Sequence, residues 1–488
     1  MNRLIITTEL KNLWREKLTV AVLSITLIFA ALSFYNGYQF SQAQHAVIDI
    51  AQQEQLSAIE TAQNSLTQRL SEQGSIKWWE DIYDLRGQAF YLMVNYATKP
   101  PLATAPIAVG QADVFPYYFR MLISEKQNVV QQYDYVNPLQ LLLGQFDLAF
   151  VVIYILPLLI IGLSYNALTQ EQQTGQLRIL LLQGINPQHL LKNQLLVRLS
   201  LVLVPFLLCS NSLLLLSNKD FTIQNSLIFS LIVSLYCLFW SYLAGFIVSK
   251  GKSTATNAAI LVACWLAFVI IIPATLNTLN GAANPTPSRI HYVDSLREQA
   301  DSAKKASEKT LAKFFQDHPE LASTNDNPSD YATKKIATII AIEQAMHAFD
   351  QAFLQIQDQQ SQYAQAFKLL SPATLVYSAL VDFSGNGLTR QQDFMQAVAQ
   401  HHQALQQFYK TQIVAASQRG DFTPCRGCNA RPTLKDLTVI PQFKNTVNDT
   451  SPPPWSLILL VLAIFALSLK TNQRVIQIGS AQSQEVRV

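Results

Sequence analysis

At 488 residues, with 50% hydrophobic and only 14% charged, the chain is too apolar for an ordinary soluble domain, yet its mean hydropathy of +0.16 is low for a chain buried wholly in lipid. A net charge of +3, thinly spread, marks no nucleic-acid surface. Composition leaves a membrane protein with a large polar mass attached.

The first seventeen residues read as a helix lying in a membrane interface. Ile6, Leu10, Leu13 and Trp14 fall at helical spacing, with Arg3, Glu9, Lys11, Asn12, Arg15 and Glu16 largely opposite. Such a helix serves membrane insertion or contact with a partner. Leu18 to Phe40 follows with 23 uncharged residues, more than the about 7 to 15 of a signal-peptide core, so it reads as a retained first span. Ala43 to Glu72 lacks Gly and Pro and carries a loose stripe of Val47, Ile50, Leu56, Ile59, Leu66 and Leu70, which predicts a helix rising straight out of that span. A turn-rich stretch at Lys99 to Pro106 interrupts the block, and Phe115 to Leu122 leads back toward the second span. Trp78, Trp79, Tyr83, Tyr91, Tyr96, Tyr117, Tyr118 and Phe119 read as core or interface anchors, with substrate contact as the alternative.

Further spans are expected at Leu148 to Tyr165, Leu199 to Ser217, Ser226 to Ser249 and Thr256 to Leu279, with a short sixth at Trp455 to Leu469. That last run covers only about 22 Å; an interfacial helix is its alternative. Between the fifth and sixth runs, helices are predicted at Tyr292 to Asp317, Tyr331 to Leu369 and Arg390 to Ser417, with turns at Asn325 to Ser329 and Gly385 to Gly387. Strand signals are scarce in both polar blocks. The expected fold is therefore an all-α polytopic membrane protein: six spans and two helical extracytoplasmic insertions, 41–147 and 280–454.

Orientation follows from the basic residues. Arg3, Lys11, Arg15, Lys17, Arg178, Lys192, Arg198, Lys250, Lys252, Lys470, Arg474 and Arg487 all fall on one side of a six-span topology, against Lys219 alone in the short loop opposite. The positive-inside rule then places both termini and the connection 166–198 in the cytoplasm.

Candidate chemistry is sparse. Gly251, Lys252, Ser253 and Thr254 resemble a phosphate-binding fragment, but the required glycine five positions earlier is Phe246, so the stretch reads as a basic turn and no nucleotide or other cofactor is expected on this chain. Cys425 and Cys428 form a C-x-x-C on the exterior side, where a local disulfide is the leading reading and an unpaired or redox-active pair the alternative. His401 and His402 diverge by about 100° on a helix and do not readily chelate one ion, so no metal site is expected. The span interiors hold no ionisable residue, which disfavours a proton-coupled transporter. Asp147 reads as a boundary residue able to reach water at the edge of span two. Pro157, Pro205 and Pro273 mark flexing points or static kinks whose freed carbonyls neighbouring helices can satisfy.

The most specific stretch is Tyr165 to Arg198. Glu171 and Gly175 precede an apolar ridge of Leu177, Leu180 and Leu181, a turn at Gly184 to Pro187, and a second amphipathic run into span three. Here the chain resembles the ABC-2-type transporter permeases, in which an E-x-x-x-G-[TQ]-L segment before the third span forms a coupling helix. Leu370 to Tyr409, with Ser371, Pro372, Gly385, Gly387, Arg390 and Phe394, is similar to a subgroup with a large extracytoplasmic domain of unassigned function. The resemblance implies a bacterial inner membrane location and a non-enzymatic exporter subunit, paired with an identical or paralogous permease. A separate ABC ATPase subunit would bind ATP and Mg and contact Glu171, Gly175, Leu177, Arg178 and Leu181. Asp147, Pro157 and Pro273 would then belong to the pathway or its hinges. Gln172 and Gln173 depart from the charged residues common after the Glu. A non-transporting transmitter, moving an extracytoplasmic partner with the strokes of the ATPase, is the alternative.

Overall fold

Apolar runs can hide their backbone polar groups from lipid by closing into helices, and among the described residues six helices are long and apolar enough to cross a membrane. The computed structural model describes residues 2–15, 17–69, 78–79, 84–123, 145–285, 289–322, 329–420, 422, 439–445 and 457–485. After an N-terminal helix, Asn2–Arg15, the candidate spans are span 1 (Lys17–Arg69), span 2 (148–164), span 3 (Pro187–Ser217), span 4 (Ile223–Val248), span 5 (Thr254–Ala283) and span 6 (Leu457–Glu485). Span 1 continues unbroken for 53 residues, about 80 Å, so its second half leaves the bundle as the arm of the first polar block. Span 6 runs on past Lys470, 29 residues in all.

The largest buried cluster ties the spans together through Phe34, Leu148, Val152, Leu156, Phe206, Tyr236 and Trp240. It also includes Ala373, Leu375, Val376, Ala379 and Leu380 from helix Pro372–Phe383 of the second polar block. This twelve-residue helix packs against spans 2, 4, 5 and 6. Each large aromatic side chain buried here removes roughly 150 to 250 Å² from solvent.

The second block supplies helices Arg289–Lys305, Ser307–Asp317, Tyr331–Phe367 and Leu388–Gln418. Its core joins Phe314, Phe315, Ile336, Leu405, Tyr409 and Ile413 to Leu85, Phe90 and Met93 of the first block. That first block corrects the expectation of a helical bundle. Asn95–Thr98 (β1) and Tyr118–Met121 (β2) pair antiparallel, with Asn95 opposite Met121 and Thr98 opposite Tyr118. Strand alternation drives the pairing: Ala97, Phe119 and Met121 face Phe394 and Val398, while Arg120 points away. The Tyr96 N–H and hydroxyl donate to Gln55 Oε1 (3.1 Å) and Glu54 Oε2 (2.8 Å) of the span 1 arm. Cys425 and Cys428 lie outside the described residues.

Candidate functional site

Two ends of the bundle concentrate the polar chemistry. At the first, span 2 gives way to a tight turn in which Leu168, fully buried, adopts φ 57°. A non-glycine residue in that region costs on the order of 1 to 3 kcal/mol and persists only where its surroundings fix it. Gln194 of span 3 supplies the fixing: its Oε1 accepts from the Leu168 N–H (3.0 Å) and its Nε2 donates to Glu171 Oε1 (2.6 Å). Two short helices follow, Thr169–Gln173 and Gln176–Leu182, hinged at Gly175 with φ 75°. Asn257 of span 5 donates to Thr169 Oγ1 (3.1 Å).

The residues expected to face a partner divide here. Leu177 is only 1% exposed and packs with Leu190, Leu191, Leu195, Val248 and Val475; it anchors the segment to its own bundle, because an amphipathic ridge turns its apolar side toward whatever core lies beneath. Glu171 is partly buried and spent on Gln194, and Leu181 is half-buried. Arg178, Ile179 and Leu182 face outward, the last two at 58% and 71% exposure.

A charge pair missed by sequence reasoning closes this end. Arg198 of span 3 binds Glu9 of the N-terminal helix through Nε and Nη2, both at 2.9 Å. Its Nη1 donates to Leu163 O and Asn166 Oδ1, both at 2.7 Å. Both side chains are nearly buried, so the guanidinium joins three elements at once.

At the opposite end, two prolines set the geometry. Pro157 and Pro273 are each preceded by a π turn, Val151–Ile155 in span 2 and Ala267–Ile271 in span 5. A proline cannot donate to the carbonyls four or five residues back, and a π turn moves that deficit by one position. In span 5 the Ile272 N–H bonds to Ala267 O, so the next carbonyl, Phe268 O, faces Pro273. Ser371 Oγ, which also caps helix Pro372–Phe383, donates to it. In span 2, Ile153 O is the carbonyl four residues before Pro157, and the buried Tyr236 hydroxyl of span 4 donates to it at 3.2 Å. Gln360 donates to Asn284 O (2.7 Å) and its carbonyl accepts from Asn280 Nδ2 (3.1 Å). The second block therefore descends beside span 5 from Gln360, turns at Lys368–Leu370 and returns among the spans as Pro372–Phe383.

Asp147 does not reach water; it is 3% exposed. It caps span 2, with Oδ1 accepting from the Phe150 N–H (2.7 Å) and Oδ2 from the Val109 N–H (2.8 Å). Burial pushes its carboxyl up to about 6 against those two bonds. The turn Ala105–Ile107 sits against span 1 so tightly that a Cβ on Gly37 would meet Pro106 O at 2.2 Å. Thr104 Oγ1 donates to Phe383 O (2.8 Å) and Asn386 Nδ2 to Ala108 O (2.7 Å). Gly385, at φ 75°, leaves room for Leu102, whose Cδ1 a Cβ would meet at 2.5 Å. Just above, Lys99 Nζ donates to Gln391 Oε1, and burial, with the Arg390 charge second, pulls the amine down to about 7.

Of the remaining candidates, Ser253 caps span 5 through Thr256, so the Gly251 to Thr254 stretch forms a helix start. The His401 ring packs against Phe443, with centroids 5.5 Å apart, while His402 Nδ1 lies 4.0 Å from Glu343 Oε1. Among the described residues no cluster of three or more His, Cys, Asp or Glu could hold a metal ion.

The profile of a domain of unknown function, DUF3526, matches residues 289–422, the stretch that runs from the first helix of the second block through Ser371 and the Gly385 turn. No curated protein and no solved structure matches the chain.

Proposed function

We propose that this chain is the membrane permease subunit of an ATP-driven exporter, with the Arg198 end of the bundle in the cytoplasm and the two polar blocks outside a bacterial inner membrane. A separate ABC ATPase subunit binds ATP and Mg, and a second permease, identical or paralogous, completes the pathway. The observation that carries this reading is the segment Thr169–Leu182. It is fixed to span 3 by Gln194 and to span 5 by Thr169, and it presents Ile179 and Leu182 with Arg178 on its exposed face. A push on that face reaches two spans at once. Directed export further requires that substrate affinity differ between inward and outward states.

The test separates the anchoring side of the segment from its exposed side. Ile179→Asp and Leu182→Asp are expected to abolish co-purification with a co-expressed ATPase subunit while the chain still inserts and melts as wild type. Retained co-purification overturns the docking assignment. Maleimide labelling of Leu182→Cys from outside sealed cells would overturn the orientation.

A second reading, a transmitter that moves an extracytoplasmic partner without transport, is favoured by one observation: Ser371 couples the second block to the kinked part of span 5. Substrate-stimulated ATP hydrolysis in reconstituted complexes separates the two.

A further inference from the structure

The far end of the polar unit carries a surface patch built from aromatic rings and cations. Helix Tyr331–Phe367 is bonded to the end of span 5 at Gln360, and Tyr331 lies 29 residues earlier, about 44 Å away at 1.5 Å per residue. The patch therefore lies at the end of that helix farthest from its attachment to span 5.

Trp78 sits at the centre, its ring centroid 5.6 Å from Trp79, 5.9 Å from Tyr91 and 5.6 Å from Tyr331. The outer three rings remain 42%, 43% and 56% exposed, a concentration of exposed aromatic surface that soluble faces rarely carry without a ligand. Lys335 Nζ lies 4.3 Å from the Phe90 centroid and 4.4 Å from that of Tyr91, and donates to the Tyr91 hydroxyl at 2.9 Å. Arg86, stacked 5.0 Å from Trp78, is neutralised by Asp84 through bonds of 2.9 and 2.6 Å. Lys335 has no carboxylate partner among the described residues. The patch therefore combines rings fixed against one another with an ammonium that meets no carboxylate among the described residues, held in place by the rings beneath it.

We propose that this patch binds a sugar acid, with the C–H face of a pyranose ring lying on the exposed aromatic rings and its carboxylate meeting Lys335. The exposed apolar area is aromatic, whereas the aliphatic neighbours Leu85, Ala332 and Ile336 are buried beneath. Flat rings offer stacking faces to a flat ligand; a docked protein segment instead anchors side chains in a pocket. The inference is independent of whether the spans transport anything.

Calorimetry on the full chain in nanodiscs tests it with tri-galacturonate, its methyl ester and maltotriose. Tri-galacturonate is expected to bind at least about tenfold more tightly than the two neutral sugars, some 1.4 kcal/mol. Lys335→Met removes that preference and Lys335→Arg keeps it, while Trp79→Ala weakens all three. The ester comparison uses the native protein and so stands even where a variant fails to fold. Absence of tri-galacturonate binding, or equal binding of acid and ester, overturns the proposal. Tighter binding of hexaglutamate than of tri-galacturonate also overturns it, and assigns the patch to an acidic protein partner.

Discussion

Spans 2 and 5 solve the same local problem in different surroundings. Each carries a proline two residues beyond a π turn, and each has a backbone carbonyl near that proline taken up by a hydroxyl from another helix. Span 2 has 61% of its apolar window buried, its donor is Tyr236 of a neighbouring span, and it is tied at both ends by Asp147 and Arg198. Span 5 has 11% buried, and its donor is Ser371 of the polar block. The lesson is that one kind of kink can be locked into a bundle or linked to an appended domain, depending on who supplies the donor. Span 2 is the fixed post, and span 5 is the element that the polar block can feel.

The largest way to break this contrast is at the post. Arg198→Met removes a guanidinium that serves Glu9, Leu163 O and Asn166 together, leaving a buried carboxylate without its cation. Such a loss costs about 3 to 5 kcal/mol. Thermal unfolding in nanodiscs is expected to fall sharply, and exchange protection of the N-terminal helix is expected to fall with it. Retained protection of Asn2–Arg15 would mean that the ion pair does not hold that helix.

The contrast sharpens with Tyr236→Phe and Ser371→Ala, which remove one hydroxyl each. Side-chain hydrogen bonds within a bilayer contribute about 0.6 kcal/mol on average and up to about 1.7. Tyr236→Phe, in the fully enclosed site, is expected near the upper figure and to lower the melting temperature of the whole bundle. Ser371→Ala is expected nearer the lower one, with its main effect on hydrogen exchange in Pro372–Phe383. Equal effects of the two on bundle melting would erase the distinction between post and link.

What the sequence disclosed follows from the range of each interaction. The spans were legible because freedom from charge over some twenty residues is a local property with one solution in lipid. The cap at Asp147 had a signal, an Asp directly before an apolar helix start. Helix Pro372–Phe383 had one too, since an apolar run too short to cross a membrane suits a buried or re-entrant helix. The hairpin was not legible: each strand has four residues, with 19 residues between them. Its alternation becomes visible only once Phe394 is known to cover one face. Glu9 and Arg198 read as separate surface charges because 189 residues part them. The ridge at Leu177 announced a buried face, but periodicity cannot say whether a partner or the chain's own bundle covers it.

A pH-dependent effect lies where the attachments of the two spans meet. The loop after Lys99 reaches Asp147 of span 2, and Gln391 follows the helix tied to span 5. The folded Lys99 amine titrates near 7, against about 10.4 in an unfolded chain. Between those values the unfolded chain holds a proton that the folded chain lacks, so stability rises with pH across that window and the gain is lost as pH falls through 7. Between about pH 7.5 and 9.5 the difference of one proton amounts to at most about 2.7 kcal/mol, two pH units at about 1.36 kcal/mol each. Melting curves at about pH 7.5 and 9.5 are expected to show the upward step in the native chain and to lose it in Lys99→Met. A step that survives the substitution would assign the pH dependence to another group. It would also leave Lys99 as a charged link between the two blocks rather than a neutral one.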